Sequence, residues 1–130
     1  MNPLSKKVVT GTVGELLVQL RLLQYNVQGA PPLKDSGNDL IAVRGEAIRA
    51  LQVRTTDGNS FRVPDRLFHA VVFVKLDGEG SQLYLDNCRI FMLLKSEIQK
   101  TAYNIAELDQ YELSPDIINK CFPQPAVPQV

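Results

Sequence analysis

Histidine and cysteine are scarce in this chain, and no apolar run approaches the length of a membrane span. A single histidine, His69, excludes histidine-based metal clusters and argues against a Ser/His/Asp triad, leaving a structural role for that side chain. Two cysteines, Cys88 and Cys121, form no CxxC pair and cannot build a disulfide framework, so both read as small buried apolar residues and the reducing cytoplasm is the expected compartment. The opening residues, Met1 to Glu15, carry no apolar core of a signal segment, and neither secretion nor a membrane partner is expected. The glycine turns at Ser36-Gly37-Asn38 and Asp77-Gly78-Glu79-Gly80 lack the spacing of phosphate-cradling loops. Tyr103 and Tyr111 are not interleaved with basic residues, which excludes a base-stacking platform.

Net charge is also absent: 14 Lys+Arg balance 14 Asp+Glu, so the total gives no sign of a polyanionic partner. The balance is uneven along the chain, however. Residues 1–66 carry nine basic and six acidic side chains, and the rest five and eight. The basic half could present a phosphate-facing surface.

What remains is the composition of an ordinary domain: 130 residues, 45% hydrophobic and 22% charged. A chain of this size can bury a core without staples. The expectation is one domain over residues 1–122 and a proline-rich, mobile tail over 123–130. Thr12-Val-Gly-Glu15 reads as a capping box opening a helix over about 12–26, with Leu16, Leu17, Leu20 and Leu23 at helical spacing. Leu40 to Val43 and Ile48 to Thr56 read as a hairpin whose turn uses Gly45 in a left-handed conformation. Phe61 to Val63 suggests a short strand, and Pro64-Asp65 a one-turn helix through Phe68. The uninterrupted apolar run Ala70 to Val74 reads as a buried central strand, with Gln82 to Leu85 as its hairpin partner and Arg89 to Leu94 as a further buried strand. Turns are expected over 96–100 and 105–108, and Ser114-Pro115-Asp116 caps a short last helix carrying Ile117, Ile118 and Cys121. A helix, a run of strands and short helices make a mixed α/β domain around one sheet.

The hairpin register brings chemistry together. With Gly45 and Glu46 in the turn, Val43 faces Ile48, Ile41 faces Ala50 and Asp39 faces Gln52, with opposed Cβ atoms about 4.5–5.5 Å apart. Arg54 lies two residues beyond Gln52, on the same face. A carboxylate, an amide oxygen and a cation therefore converge, and oxygen donors of this kind suit a hard divalent ion. Taken singly, each has an ordinary reading: Glu15 closes a capping box, Asp39 follows a turn, and Gln52 and Arg54 could line a solvated strand face.

Taken in order, Gly14-Glu15 at the opening of the first helix, Asp39 leading a strand and Gln52-Val53-Arg54 on its partner resemble the PD-(D/E)XK nuclease superfamily over roughly residues 10–95. The resemblance implies a restriction-endonuclease-like α/β core, a central mixed β-sheet flanked by helices. It implies Asp39, Gln52, Glu15 and the Val53 carbonyl as metal ligands, with Mg²⁺ or Mn²⁺ as cofactor. Asp39, Gln52, Arg54 and Glu15 would be the catalytic set, and DNA the partner, cut by phosphodiester hydrolysis. Gln52 stands where the family usually has Glu or Asp, which removes a negative charge from the site. Arg54 stands where it has lysine, and a guanidinium cannot shed a proton but can clamp a phosphate. The alternative is an inactive nuclease-fold protein that binds nucleic acid or another protein. A homodimer is compatible with either reading.

Overall fold

The computed structural model describes residues 5–33, 39–66, 68–78 and 82–125. Its centre is a five-stranded mixed sheet in the order β1 (Gln28–Ala30), β2 (Leu40–Arg44), β3 (Ala47–Thr56), β5 (Ala70–Lys75) and β6 (Arg89–Leu94). Among the described residues the β3–β5 pairing is parallel and the other three pairings of this sheet are antiparallel. A second, two-stranded sheet joins β4 (Ser60–Arg62) to β7 (Ala102–Asn104). Among the described residues no helix is long and apolar enough to cross a membrane.

Two layers cover the central sheet. Helix α1 (Lys6–Gln24) and helix α2 (Pro115–Cys121) share one face, where Leu17, Val18 and Leu22 meet Leu40, Leu51 and Val53, and Ile118 and Phe122 join the same core as Val72 and Met92. On the other face the small sheet brings Phe61 and Tyr103 onto Val71, Phe73 and Phe91, with Phe61 stacked on Phe73 at a centroid distance of 4.7 Å. Burial on both sides explains why β5 is apolar without alternation. Among the described residues, α-helices flank one face and the other is closed by strands and single-turn helices.

The β2–β3 hairpin has the register expected from its turn: Val43 opposes Ile48, Ile41 opposes Ala50, and Gly45 has φ of 58°. Helix α2 follows its signals as well. Ser114 Oγ accepts from the Ile117 N–H at 3.2 Å, Pro115 fills the first turn, and Arg49 Nε donates to the Cys121 carbonyl at 2.9 Å at the negative end of the helix.

Elsewhere the structure corrects the sequence reading. Helix α1 begins at Lys6, capped by Ser5 Oγ accepting from the Val8 N–H at 3.2 Å, so Thr12 and Glu15 lie inside it and form no capping box. The β-branched Val8, Val9 and Thr10 and the following Gly11 are weak helix formers that hid the true start. The leucine stripe expected to be the apolar face does not pack on the sheet, apart from Leu17; Gly14, Leu17, Val18 and Leu22 do. Gln82 to Leu85 form no strand, and β6 is the antiparallel partner of β5. No helix forms over the described residues between Pro64 and Phe68. His69 is exposed, and its role is structural: its Nδ1 accepts from the Ala50 N–H at 2.8 Å while its own N–H donates to the Ala50 carbonyl at 2.9 Å, extending the β3–β5 ladder. Cys88 and Cys121 are buried free thiols, with burial pushing the Cys121 thiol up to about 11. The expected turn over 34–38 and the end of the tail, 126–130, lie outside the described residues.

Candidate functional site: a carboxylate pair in a mixed-charge cleft

Strand β3 outruns its partner. The paired part of β2 starts at Leu40, opposite Leu51, whereas β3 continues to Thr56. The Asp39 N–H still donates to the Leu51 carbonyl at 3.0 Å, and the Asp39 carboxylate takes the next position: its Oδ2 accepts the Val53 N–H at 2.8 Å. A side chain thus replaces the missing backbone acceptor, which fixes the carboxylate along the strand edge. In a strand the carbonyl of a residue points to the same edge as its N–H. The Val53 carbonyl therefore shares an edge with Asp39.

Helix α1 crosses this end of β3 closely. Gly14 is buried, and a Cβ placed there would collide with the Thr55 side chain, lying 2.8 Å from its Cβ and 2.9 Å from its Cγ2. Glycine is required for this approach. The neighbouring residue, Glu15, is thereby delivered to the Asp39 edge. Burial and the charge on Asp39 together raise the Glu15 carboxyl above its ordinary value, burial being the larger cause.

Between helix and strand end lies a cleft of about 540 Å³. Lys6, Lys7, Thr10, Gly11 and Glu15 form its helix wall; Asp39 and the run Val53, Arg54, Thr55, Thr56 and Asp57 form its sheet wall. Three carboxylates, Glu15, Asp39 and Asp57, thus share it with three cations, Lys6, Lys7 and Arg54. Lys6 also pairs with Asp57 at 3.6 Å. The Arg54 guanidinium makes no ion pair or hydrogen bond with any described residue, which leaves its fork available to an incoming anion.

The residues singled out in the sequence divide accordingly. Glu15, Asp39, Val53 and Arg54 all line the cleft. Gln52 does not. It is 2% exposed and opposes Val71 on β5, and Arg54, two residues on, opposes Phe73, so the two share one strand face, with Arg54 nearer the open end of β3. Lys6, Lys7, Thr10 and Thr55 were not singled out, because a helix started at Thr12 leaves the two lysines in an unstructured lead. Ser5, three residues before Val8 and ahead of two lysines, is the signal that could have found them.

Among the described residues no group of three or more His, Cys, Asp and Glu side chains could hold a metal ion. The pair Glu15 and Asp39, with a backbone carbonyl on the same edge, is an all-oxygen donor set. That chemistry fits magnesium or manganese, which are commonly held by one or two carboxylates with water and phosphate completing the shell.

No protein-family profile matches the chain, and no curated protein matches it. A solved bacterial homing endonuclease is similar in structure: the TM-score is 0.53 over 85% of each chain, at 13% sequence identity. The chain therefore has an endonuclease-like α/β fold.

Proposed function

We propose that this protein is a metal-dependent DNA endonuclease of the PD-(D/E)XK type. The observation that carries the reading is the meeting of Glu15 and Asp39, from different elements, in a cleft that also holds Arg54, Lys6 and Lys7. Two carboxylates facing one cleft favour a cation between them. The endonuclease-like fold supports the same reading.

Asp39, Glu15 and the Val53 carbonyl would hold the ion. When bound it supplies Lewis-acid polarisation of the phosphate and a more acidic water. Arg54 presents a planar fork to two non-bridging phosphate oxygens and orients the phosphodiester, without accepting a proton. Lys6 and Lys7, on the first turn of α1, neutralise neighbouring backbone phosphates. The Val53 N–H holds Asp39 in one position before any substrate arrives, so little reorganisation is left to binding. Gln52 is buried and does not line the cleft.

Plasmid, branched and single-stranded DNA incubated with Mg²⁺ or Mn²⁺ test the proposal. Nicking by the wild type and none by Asp39→Ala is the expected result. Absence of cleavage on every substrate with either ion rejects it. A second reading, an inactive nuclease fold that binds nucleic acid, draws on Arg54 and on the burial of Gln52 away from the cleft. Salt-sensitive DNA binding that persists in Asp39→Ala, without cleavage by either protein, would identify it.

A further inference from the structure

A second hollow adjoins the cleft. It measures about 250 Å³ and shares Lys6, Thr10 and Asp57 with it. Beyond those three residues its walls are apolar. Val9 and Val13 lie on the face of α1 that also carries Lys6 and Thr10, at steps of three and four residues. Opposite them stand Leu83 and Leu76, whose N–H prolongs the β3–β5 ladder by donating to the Thr56 carbonyl at 2.8 Å. Leu83 is set in place locally, because the Tyr84 N–H donates to the Asp77 carbonyl at 2.9 Å. Val13, Leu76 and Leu83 also pack with the core on this face of the sheet, so the hollow is formed before anything enters it.

Size and polarity limit the occupant. An apolar cavity of about 150 Å³ admits benzene, and sites for drug-sized molecules begin near about 300 Å³. A hollow between the two holds one flat ring system. The rim is charged: Lys6 Nζ lies 3.6 Å from Asp57 Oδ2, with the two side chains 73% and 46% exposed. An exposed pair of this kind is weak and yields readily. Lys6 then offers a cation to a phosphate in the cleft, and Asp57 offers acceptor oxygens to a ring N–H or amino group. A flat heterocycle with donor groups, joined to a phosphate, is a nucleotide.

We propose that this hollow receives one unpaired nucleobase of the strand whose phosphate lies in the cleft. The proposal rests on the cleft being a DNA phosphate site, and it deepens that reading by naming the substrate class. A base inside a duplex is paired and stacked and cannot enter, whereas an unpaired nucleotide in a single strand, a flap or a mismatch can. The substrate is therefore DNA with an unpaired nucleotide beside the bond to be cut.

Amide and methyl NMR spectra of the full chain, free of divalent ions, test it by titration with tetrathymidylate and with an abasic tetranucleotide of the same backbone. Tetrathymidylate is expected to shift the methyl signals of Val9, Val13, Leu76 and Leu83 together with the Lys6, Lys7 and Arg54 amides. The abasic chain is expected to shift those amides alone and to bind about tenfold more weakly. Val9→Phe fills the mouth from a position 41% exposed, and is expected to remove both the methyl shifts and the tenfold advantage with an unchanged circular dichroism spectrum. Equal affinity for the two chains, equal methyl shifts with the abasic one, or an advantage that survives Val9→Phe overturns the proposal and leaves the cleft a phosphate site. Absence of any response to either chain overturns it together with the DNA reading of the cleft. The spectra need no cleavage, so a protein that binds without cutting still answers the question.

Discussion

The backbone N–H of Val53 donates to Asp39 Oδ2 at 2.8 Å, so one carboxylate both completes the β2–β3 ladder and faces the cleft. These two duties can be separated by substitution. Asp39→Ala strands the Val53 N–H and is expected to lower stability by about 1–3 kcal/mol in urea denaturation. Asp39→Asn keeps an acceptor oxygen and should lose clearly less stability, yet lose cleavage as completely as Asp39→Ala. Cleavage retained by Asp39→Asn would leave the carboxylate with a structural duty alone.

Glu15 ties stability to pH. Its carboxyl is raised above 4.5, first by burial and then by Asp39, so the folded state holds the proton more tightly than the unfolded chain. The associated stability is fully present below about 4.5 and is lost as pH rises through the folded value. Glu15→Gln removes the ionisation and should be more stable than the wild type at neutral pH in the absence of divalent ions, with a flatter profile above 4.5. Thermal melts across pH check it; identical slopes for the two proteins contradict it.

Gly14 and Thr55 set how closely α1 approaches β3. Gly14→Ala forces a methyl group into the Thr55 side chain and is expected to cost about 1–3 kcal/mol. Thr55 Oγ1 is buried without a hydrogen-bond partner, so Thr55→Ala alone should be close to neutral. The double variant should recover part of the Gly14→Ala loss, since the two residues share one contact. Strict additivity in chemical denaturation would show that the helix does not bear on Thr55.

In the proposed mechanism Arg54 clamps the scissile phosphate. Arg54→Ala should reduce nicking by about 10²–10³-fold, the usual effect of removing one preorganised donor, with little change in stability. Arg54→Lys should also lose activity, because the lysine ammonium replaces a planar fork by a point charge. A gain of cleavage in Arg54→Lys would instead support the reading of a nuclease fold that has lost its activity.

Much of the fold could be read from local signals. Gly45 at a left-handed turn fixed the register from Val43 and Ile48 outward, and Ser114-Pro115 marked α2 to the residue. The unbroken apolar run of β5 reported burial on both faces. What escaped depends on contacts distant in sequence. The strands β1 and β7 are three residues each and gain their identity from β2 and β4. The start of α1 lay behind residues of weak helix propensity, and its leucines gave no sign of which stripe meets the sheet.

The candidate site was legible in the same uneven way. Strand register put Asp39 beside the Gln52-Val53-Arg54 segment, but a period of two could not say that the Asp39 carboxylate would turn along the strand edge to the Val53 N–H, nor that Gln52 would be buried. Glu15 was singled out for a place at the head of a helix, whereas it reaches Asp39 from the interior of one, carried there by the close contact of Gly14.

The most direct test of the shared carboxylate cleft is a calorimetric titration of the protein with Mn²⁺, free of DNA. Saturable uptake by the wild type, abolished in both Asp39→Asn and Glu15→Gln and retained in Arg54→Ala, is the expected result. No uptake by the wild type, or uptake that survives loss of either carboxylate, contradicts the site.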